Sequence, residues 1–258
     1  MSLIQTVLLG AIAGFTIYLG LPIGRMKGLS ENARSFLSMT SAGILIFLFF
    51  DIFHQLSDPI ETALTAADYR GFLGLLGIFV LGFGVGLGGL ILFEQRFIRL
   101  RGGANQVLSP ASLALLIATG IGLHNFSEGL AIGQSAGGGE LALAAILILG
   151  FGLHNATEGF GIVGPLIGKE RPSWGFLGLV GLIGGGPTFV GTMVGYYFVS
   201  TAMSVLFLSL AAGALVYILG ELFHMNWRAA TKPYAGWGIF AGFVFAFLSD
   251  LILVAAGV

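Results

Sequence analysis

The chain has no cysteine, so disulfides are excluded and no thiolate can serve as a metal ligand. Any metal site must then be assembled from nitrogen and oxygen. Charge is almost as scarce. Only 9% of the 258 residues are Asp, Glu, Lys or Arg, where soluble domains carry about 25%. With 56% hydrophobic residues and a mean hydropathy of +0.97, a water-soluble globule is excluded. The first apolar run lacks both a basic preceding region and an A-x-A cleavage signal, so Leu3 onward reads as a retained helix. Nothing resembles a linker or a soluble domain, and low complexity is confined to three-glycine runs at 137–139 and 184–186.

What the chain does have is apolar length. A helix crossing a ~30 Å hydrocarbon core needs about 20 residues. Stretches of that order fall at 3–24, 35–57, 71–93, 109–134, 140–167, 174–199, 202–224 and 234–256. They are too long for strands and do not alternate. The expected fold is therefore an all-α integral membrane protein of eight transmembrane helices, forming one polytopic domain over 1–258. The basic residues give its orientation, because cytoplasmic loops gather Lys and Arg. Arg25, Lys27 and Arg34 lie between spans one and two, and Arg96, Arg99 and Arg101 between three and four. Lys169 and Arg171 follow span five; Arg228 and Lys232 follow span seven. Only Arg70 is on the other side, where Asp58, Glu61 and Asp68 make the loop between spans two and three acidic. An even span number then puts both termini outside the cytoplasm. The basic loops are topology signals, so no nucleic-acid partner is expected. The chain also has 43 glycines, which let membrane helices approach closely. Runs such as Gly82-Phe83-Gly84-Val85-Gly86 suit helix–helix contact and leave a homodimer open.

One motif occurs twice. Gly-Leu-His-Asn-Phe-Ser-Glu-Gly at Gly122–Gly129 returns as Gly-Leu-His-Asn-Ala-Thr-Glu-Gly at Gly152–Gly159, with six of eight positions identical. His and Glu four residues apart share one helix face. Span four, starting inside near Pro110, reaches His124 after ~21 Å of helical rise. Span five, starting outside near Glu140, reaches His154 after a similar ~21 Å. Both motifs therefore land near mid-membrane in antiparallel neighbours. A dication there requires compensating charge. Glu128 and Glu158 would neutralise it, His124 and His154 would supply nitrogen ligands suited to Zn²⁺ or Fe²⁺, and Asn125 and Asn155 would add amide oxygens or orient a carboxylate.

Ionisable groups inside spans are costly and mark function by default. The remaining ones are Asp51 and His54 in span two, Glu221 and His224 near the inner end of span seven, and Asp250 in span eight. Asp51 and His54 suit a way in from outside, Glu221 and His224 a way out. Asp250 suits either a transport carboxylate or a buried partner. The Gly-Gly-Gly-Pro at 184–187 is expected to bend span six.

These residues resemble the ZIP (Zrt/Irt-like protein) divalent metal transporters, in their prokaryotic branch. The likeness rests on His124-Asn125-x-x-Glu128-Gly129, on His154-Asn155-x-x-Glu158-Gly159, and on Ala211-Ala212-Gly213-Ala214-Leu215-Val216-Tyr217 followed by Glu221. It covers essentially the whole chain. The resemblance implies a 3+2+3 arrangement, with spans one to three and six to eight as an inverted repeat around a site on spans four and five. It also implies Zn²⁺, Fe²⁺, Mn²⁺, Cd²⁺ or a related ion as substrate, moved into the cytoplasm of a prokaryote across its plasma membrane. Two departures stand out. Ser127 and Thr157 occupy places where the family motif often has proline. Thr188 aligns where many members carry a bridging glutamate in span six, which favours one principal metal.

The expected function is thus alternating-access transport of a divalent metal through the His/Glu site. The chain would be no enzyme and need no prosthetic group, with metal ions and the lipid bilayer as partners. The rival from another class is an intramembrane zinc-dependent hydrolase with Glu128 or Glu158 as base, which lacks the His-Glu-x-x-His helix signature.

Overall fold

A computed structural model describes residues 2–99, 108–139, 141–169, 171–198, 200–226 and 229–256. Eight α-helices account for most of them: α1 Leu3–Phe15, α2 Glu31–Thr65, α3 Tyr69–Phe93, α4 Pro110–Gly137, α5 Leu141–Val163, α6 Trp174–Tyr197, α7 Thr201–Asn226 and α8 Lys232–Ala256. Among the described residues, seven helical segments are long and apolar enough to cross a membrane. Arg101, Glu140 and Arg228, used above to read orientation and depth, lie outside the described residues.

Helix ends follow local chemistry. Ser30, Ser109 and Ser173 each turn a side-chain oxygen onto a backbone N–H of the first turn of α2, α4 and α6, satisfying donors that a helix start leaves open. Three segments depart from the expected spans. The first span is α-helical only to Phe15 and then tightens into 3₁₀ turns at Thr16–Leu19 and Leu21–Arg25. The second does not end at 57. It runs to Thr65 through Pro59, so Asp58 and Glu61 ride on helix and the connection shrinks to 66–68. Polar residues end a hydrophobic run, but Glu61, Thr62, Ala63 and Leu64 carry the helix on to Thr65. The expected loop from 93 likewise begins with a π-helical turn, Glu94–Arg99.

Packing is densest around α4, which lies along α6 and also touches α1, α5 and α7. Elsewhere α2 pairs with α8 and α3 with α7, while α1 packs on α5 and α6. Glycines set the closest of these approaches. A Cβ on Gly129 would run into the Thr188 carbonyl of α6, and one on Gly43 into the Ile239 carbonyl of α8. The small-residue run in α3 divides its faces. Gly82 and Gly86 press on Ser209 and Leu210 of α7, whereas Gly84 meets nothing within 4 Å. Pro187 sits inside α6 without ending it. Lacking an N–H, it leaves the Ile183 carbonyl without its helical donor. That carbonyl lies against Gly122, where a Cβ would collide with it. Arg34 at the start of α2, Lys169 after α5 and Asn226 at the end of α7 line one pocket, so these three helix ends share a side of the molecule.

Candidate metal centre

The two octapeptides lie on adjacent antiparallel helices, α4 and α5, at the depth where both are walled in by other helices. His124, Asn125, Asn155 and Glu158 are buried to within 0% exposure, and Glu128 and His154 to within 3% and 4%. Helical spacing brings each histidine over its own glutamate. His124 Nε2 is 3.4 Å from Glu128 Oε1, and His154 Nε2 is 3.6 Å from Glu158 Oε1. Both separations exceed a good hydrogen bond. The imidazole centroids are 6.1 Å apart, inclined at 64°.

The asparagines form a chain of donors between the helices. Asn125 Nδ2 donates to Asn155 Oδ1 at 2.5 Å and to the Gly184 carbonyl of α6 at 3.0 Å. Asn155 Nδ2 donates to Glu128 Oε2 at 3.1 Å and to the Phe151 carbonyl at 2.8 Å. Glu128 is thereby oriented from the neighbouring helix, a role suited to amides beside a metal-binding carboxylate. Glu158 has no such donor. Both its carboxylate oxygens are buried without a hydrogen-bond partner, as are both nitrogens of His124, Nε2 of His154 and Oδ1 of Asn125. Buried polar atoms are normally satisfied, and a buried carboxylate is among the costliest to leave alone. A concentration of unsatisfied lone pairs facing one another is what a cation would resolve.

Asp51 joins this group. One ligand atom each from Asp51, His124 and His154 lie within 4.8 Å of one another. Two ligands on a tetrahedral ion at ~2.1 Å stand roughly 3.4 Å apart, so the widest pair needs to close by at most about 1.4 Å around an ion of that kind. Asp51 accepts from Gln55 Nε2 at 2.8 Å, which holds its carboxylate. Asp250 of α8 is half-buried and within electrostatic reach of Asp51 and His154.

The other expected residues are elsewhere. His54 is exposed, one turn beyond Asp51 on α2. Glu221 is half-buried and His224 exposed in the last turns of α7, towards Asn226. Thr188 is buried with its hydroxyl unpartnered and packs against Gly14 of α1. The two residues at the proline positions behave differently: Thr157 Oγ1 donates back to the His154 carbonyl at 2.7 Å, whereas Ser127 Oγ is buried without a partner. One buried acid escaped the sequence reading. Glu94, just past α3, is 4% exposed and accepts from Tyr217 Oη of α7 at 2.7 Å. The signal was its position directly after an apolar run, masked by Gln95 and Arg96, which read as loop.

Searches against profiles of known families and against characterised proteins both returned no match.

Proposed function

We propose that this chain is a ZIP-like carrier of divalent transition-metal ions, with Zn²⁺ as the best-suited substrate. The observation that carries this reading is the convergence of Asp51, His124 and His154 between α2, α4 and α5, with Glu128 and Glu158 each beside its own histidine. Their acceptor atoms are left mostly unsatisfied by the protein. Imidazole and carboxylate ligands suit Zn²⁺, Fe²⁺ and Mn²⁺ without selecting one by affinity alone. Glu128 and Glu158 neutralise the dication, His124 and His154 bind it, and Asp51 is a ligand rather than only a station on the way in. His54 marks the outer approach. Glu221, with His224 beyond it, marks the inner one.

In this reading α5, with 23 helical residues, is the eighth crossing, and α1–α3 and α6–α8 form an inverted 3+2+3 repeat. The packing supports it. Exchanging α1 with α6, α2 with α7, α3 with α8 and α4 with α5 turns the α2–α8 contact into α7–α3, and the α4–α6 contact into α5–α1; all four pairings occur. Such repeats place a site at mid-membrane and expose it to one side at a time as the halves rock. The gathering of Arg34 and Lys169 on one side supports a cytoplasmic assignment for that side, with both termini opposite, in the plasma membrane of a prokaryote.

Uptake of radioactive Zn²⁺ into sealed vesicles containing the purified protein tests this. Wild type accumulates metal in proportion to internal volume, and Glu158→Ala and His124→Ala abolish the accumulation while still inserting. Equal uptake by wild type and both variants would defeat the proposal.

A further inference from the structure

The two ways out of the metal centre differ in chemistry. On the outer side, Asp51 is itself half-buried and α2 goes on through exposed His54, Gln55, Asp58 and Glu61. On the inner side, where Arg34 and Lys169 gather, no residue of α2 from 42 to 50 has a polar side chain. The same holds beyond Glu158, from 159 to 168. The stretch in α2 alone covers roughly 13 Å of helical rise.

Side chains close this inner way. Helices α2, α5, α4 and α7 touch one another in a ring. Leu45 and Leu48 of α2, Ile117 and Ile121 of α4, and Leu215 and Ile218 of α7 are all at 0% exposure and belong to one contiguous apolar cluster. Two contacts fix its level. Leu45 comes within 3.7 Å of where a Cβ on Gly161 would stand, three residues inward of Glu158. Ile218 comes within 3.0 Å of the same place on Gly120, four residues inward of His124. The layer thus begins one turn from each octapeptide, and a dication crossing it would shed its water without gaining ligands, which is prohibitive. Polar groups return beyond it. Ser41 packs against Gly164 and donates to the Ser38 carbonyl at 2.6 Å. Ser38 and Ser35 are 2% and 8% exposed, and neither hydroxyl has a partner. Ser35 opens on a cavity of about 300 Å³ that Asn226, at the end of α7, also lines. Buried hydroxyls are normally satisfied, and water or a hydrated ion passing this way would satisfy these.

We propose that this apolar layer is the inner gate of the transport path, shut in this conformation, and that metal passing it leaves along Ser41, Ser38 and Ser35 into the cavity. The inference rests on the transport reading and adds the route by which the ion departs. Opening requires α2 to part from α5 where Leu45 meets Gly161. Until then the ion reaches the centre from the outer side alone, which is the behaviour of a carrier and not of an open pore.

The chain has no cysteine, so introduced thiols report without background. Leu45→Cys combined with Gly161→Cys sets two sulfurs across the α2–α5 contact. Leu45 Cγ stands 3.9 Å from the Cβ position of residue 161, close enough for a disulfide after a small side-chain rotation. The full chain in sealed vesicles is oxidised with diamide, and bridge formation is followed as loss of free thiol. The bridge abolishes uptake of radioactive Zn²⁺, leaves Zn²⁺ binding measured by dye competition unchanged, and releases uptake again on reduction with a phosphine. A bridge that does not form, that leaves uptake intact, or that removes binding as well overturns the gate. The route is tested separately. During turnover Ser38→Cys reacts with a cationic methanethiosulfonate and uptake is lost. Gly220→Cys, on an exposed part of α7 with nothing within 4 Å, reacts without loss. A thiol at 38 that never reacts, or whose modification leaves uptake unchanged, overturns the path. Wild type that moves no Zn²⁺ defeats the transport reading itself, whereas uptake that survives the bridge defeats the gate alone.

Discussion

The two octapeptides differ in sequence at only two places, Phe126-Ser127 against Ala156-Thr157, yet the fold treats them unequally. The α4 copy is gripped from outside. Asn125 is tied to the Gly184 carbonyl, Glu128 receives Asn155, and Gly122 is pressed by the Ile183 carbonyl that Pro187 sets free. The α5 copy is pressed at Gly159 by the Ile17 carbonyl and linked to α4 through Asn155, but its other ties are to itself. Asn155 bonds its own helix at Phe151 and Thr157 bonds back to His154. Gly152 meets nothing closer than Thr16 Cγ2 at 3.7 Å, and the Glu158 carboxylate has no donor. A repeated motif thus supplies equal ligands to the centre but unequal support. The difference lies at the carboxylates: Glu128 has a protein donor, and Glu158 depends on what it holds.

The first way to break this comparison is to remove the ligands themselves. A structural zinc site contributes ~10–16 kcal/mol over four ligands, so one ligand accounts for roughly a hundredfold in affinity. His124→Ala and His154→Ala should each weaken Zn²⁺ binding by about that factor, measured by competition with a chelating dye. Asp51→Ala should lose as much. If Asp51→Ala binds as wild type does, Asp51 lies outside the ligand set and the centre reduces to the two octapeptides. Binding should also weaken as pH falls, because imidazole and carboxylate must shed protons to take a metal.

The next contrast is steric. A Cβ added at Gly122 would run into the Ile183 carbonyl, whereas one at Gly152 finds ordinary space. Overpacking of a tight contact costs ~1–3 kcal/mol. Gly122→Ala should therefore lower the unfolding midpoint of the metal-free protein by several degrees, and Gly152→Ala should hardly move it. Equal losses would mean that position 152 is as tightly walled as position 122.

Much of this architecture was legible beforehand, and the missing parts share a cause. Hydropathy marks the long apolar runs, so the eight helices fall close to where those runs predict them. It does not mark helix ends, so the continuation of α2 through Pro59 to Thr65 was missed. Helical rise gives depth, which is why His124 and His154 could be set level by counting residues. Depth says nothing of direction around the axis. Asp51 was placed correctly along α2 but not seen to face the histidines, because that depends on how α2 leans against α5 and α7. The same gap hid the Tyr217–Glu94 bond, which joins residues 123 apart in sequence.

Substituting the glutamates tests the unequal support with opposite signs. In metal-free protein Glu158 is a buried acceptor without donors, so Glu158→Gln removes a burden and should leave the unfolding midpoint unchanged or raise it. Glu128→Ala leaves Asn155 one acceptor short and should destabilise by about 1 kcal/mol. Saturating Zn²⁺ should reverse the order for Glu158→Gln, which then loses the stabilisation that wild type gains from the ion. Loss of stability in both variants without metal would show that Glu158 is already satisfied in the empty centre.

The smallest effect concerns the two residues that stand where proline would kink each helix. Thr157 lends its hydroxyl to the His154 carbonyl at 2.7 Å, a bond that competes locally with the helix ladder and bends it slightly. Ser127 keeps an unbonded hydroxyl in a buried place. Thr157→Val exchanges one branched side chain for another and should cost about 1 kcal/mol, the net worth of a neutral hydrogen bond. Ser127→Ala removes an unsatisfied group and should be neutral or stabilising by a similar amount. Unfolding of the two variants side by side reads this difference directly. If the larger loss fell on Ser127→Ala, its hydroxyl would have a partner in the membrane, and the α4 copy would owe part of its rigidity to the residue that here looks idle.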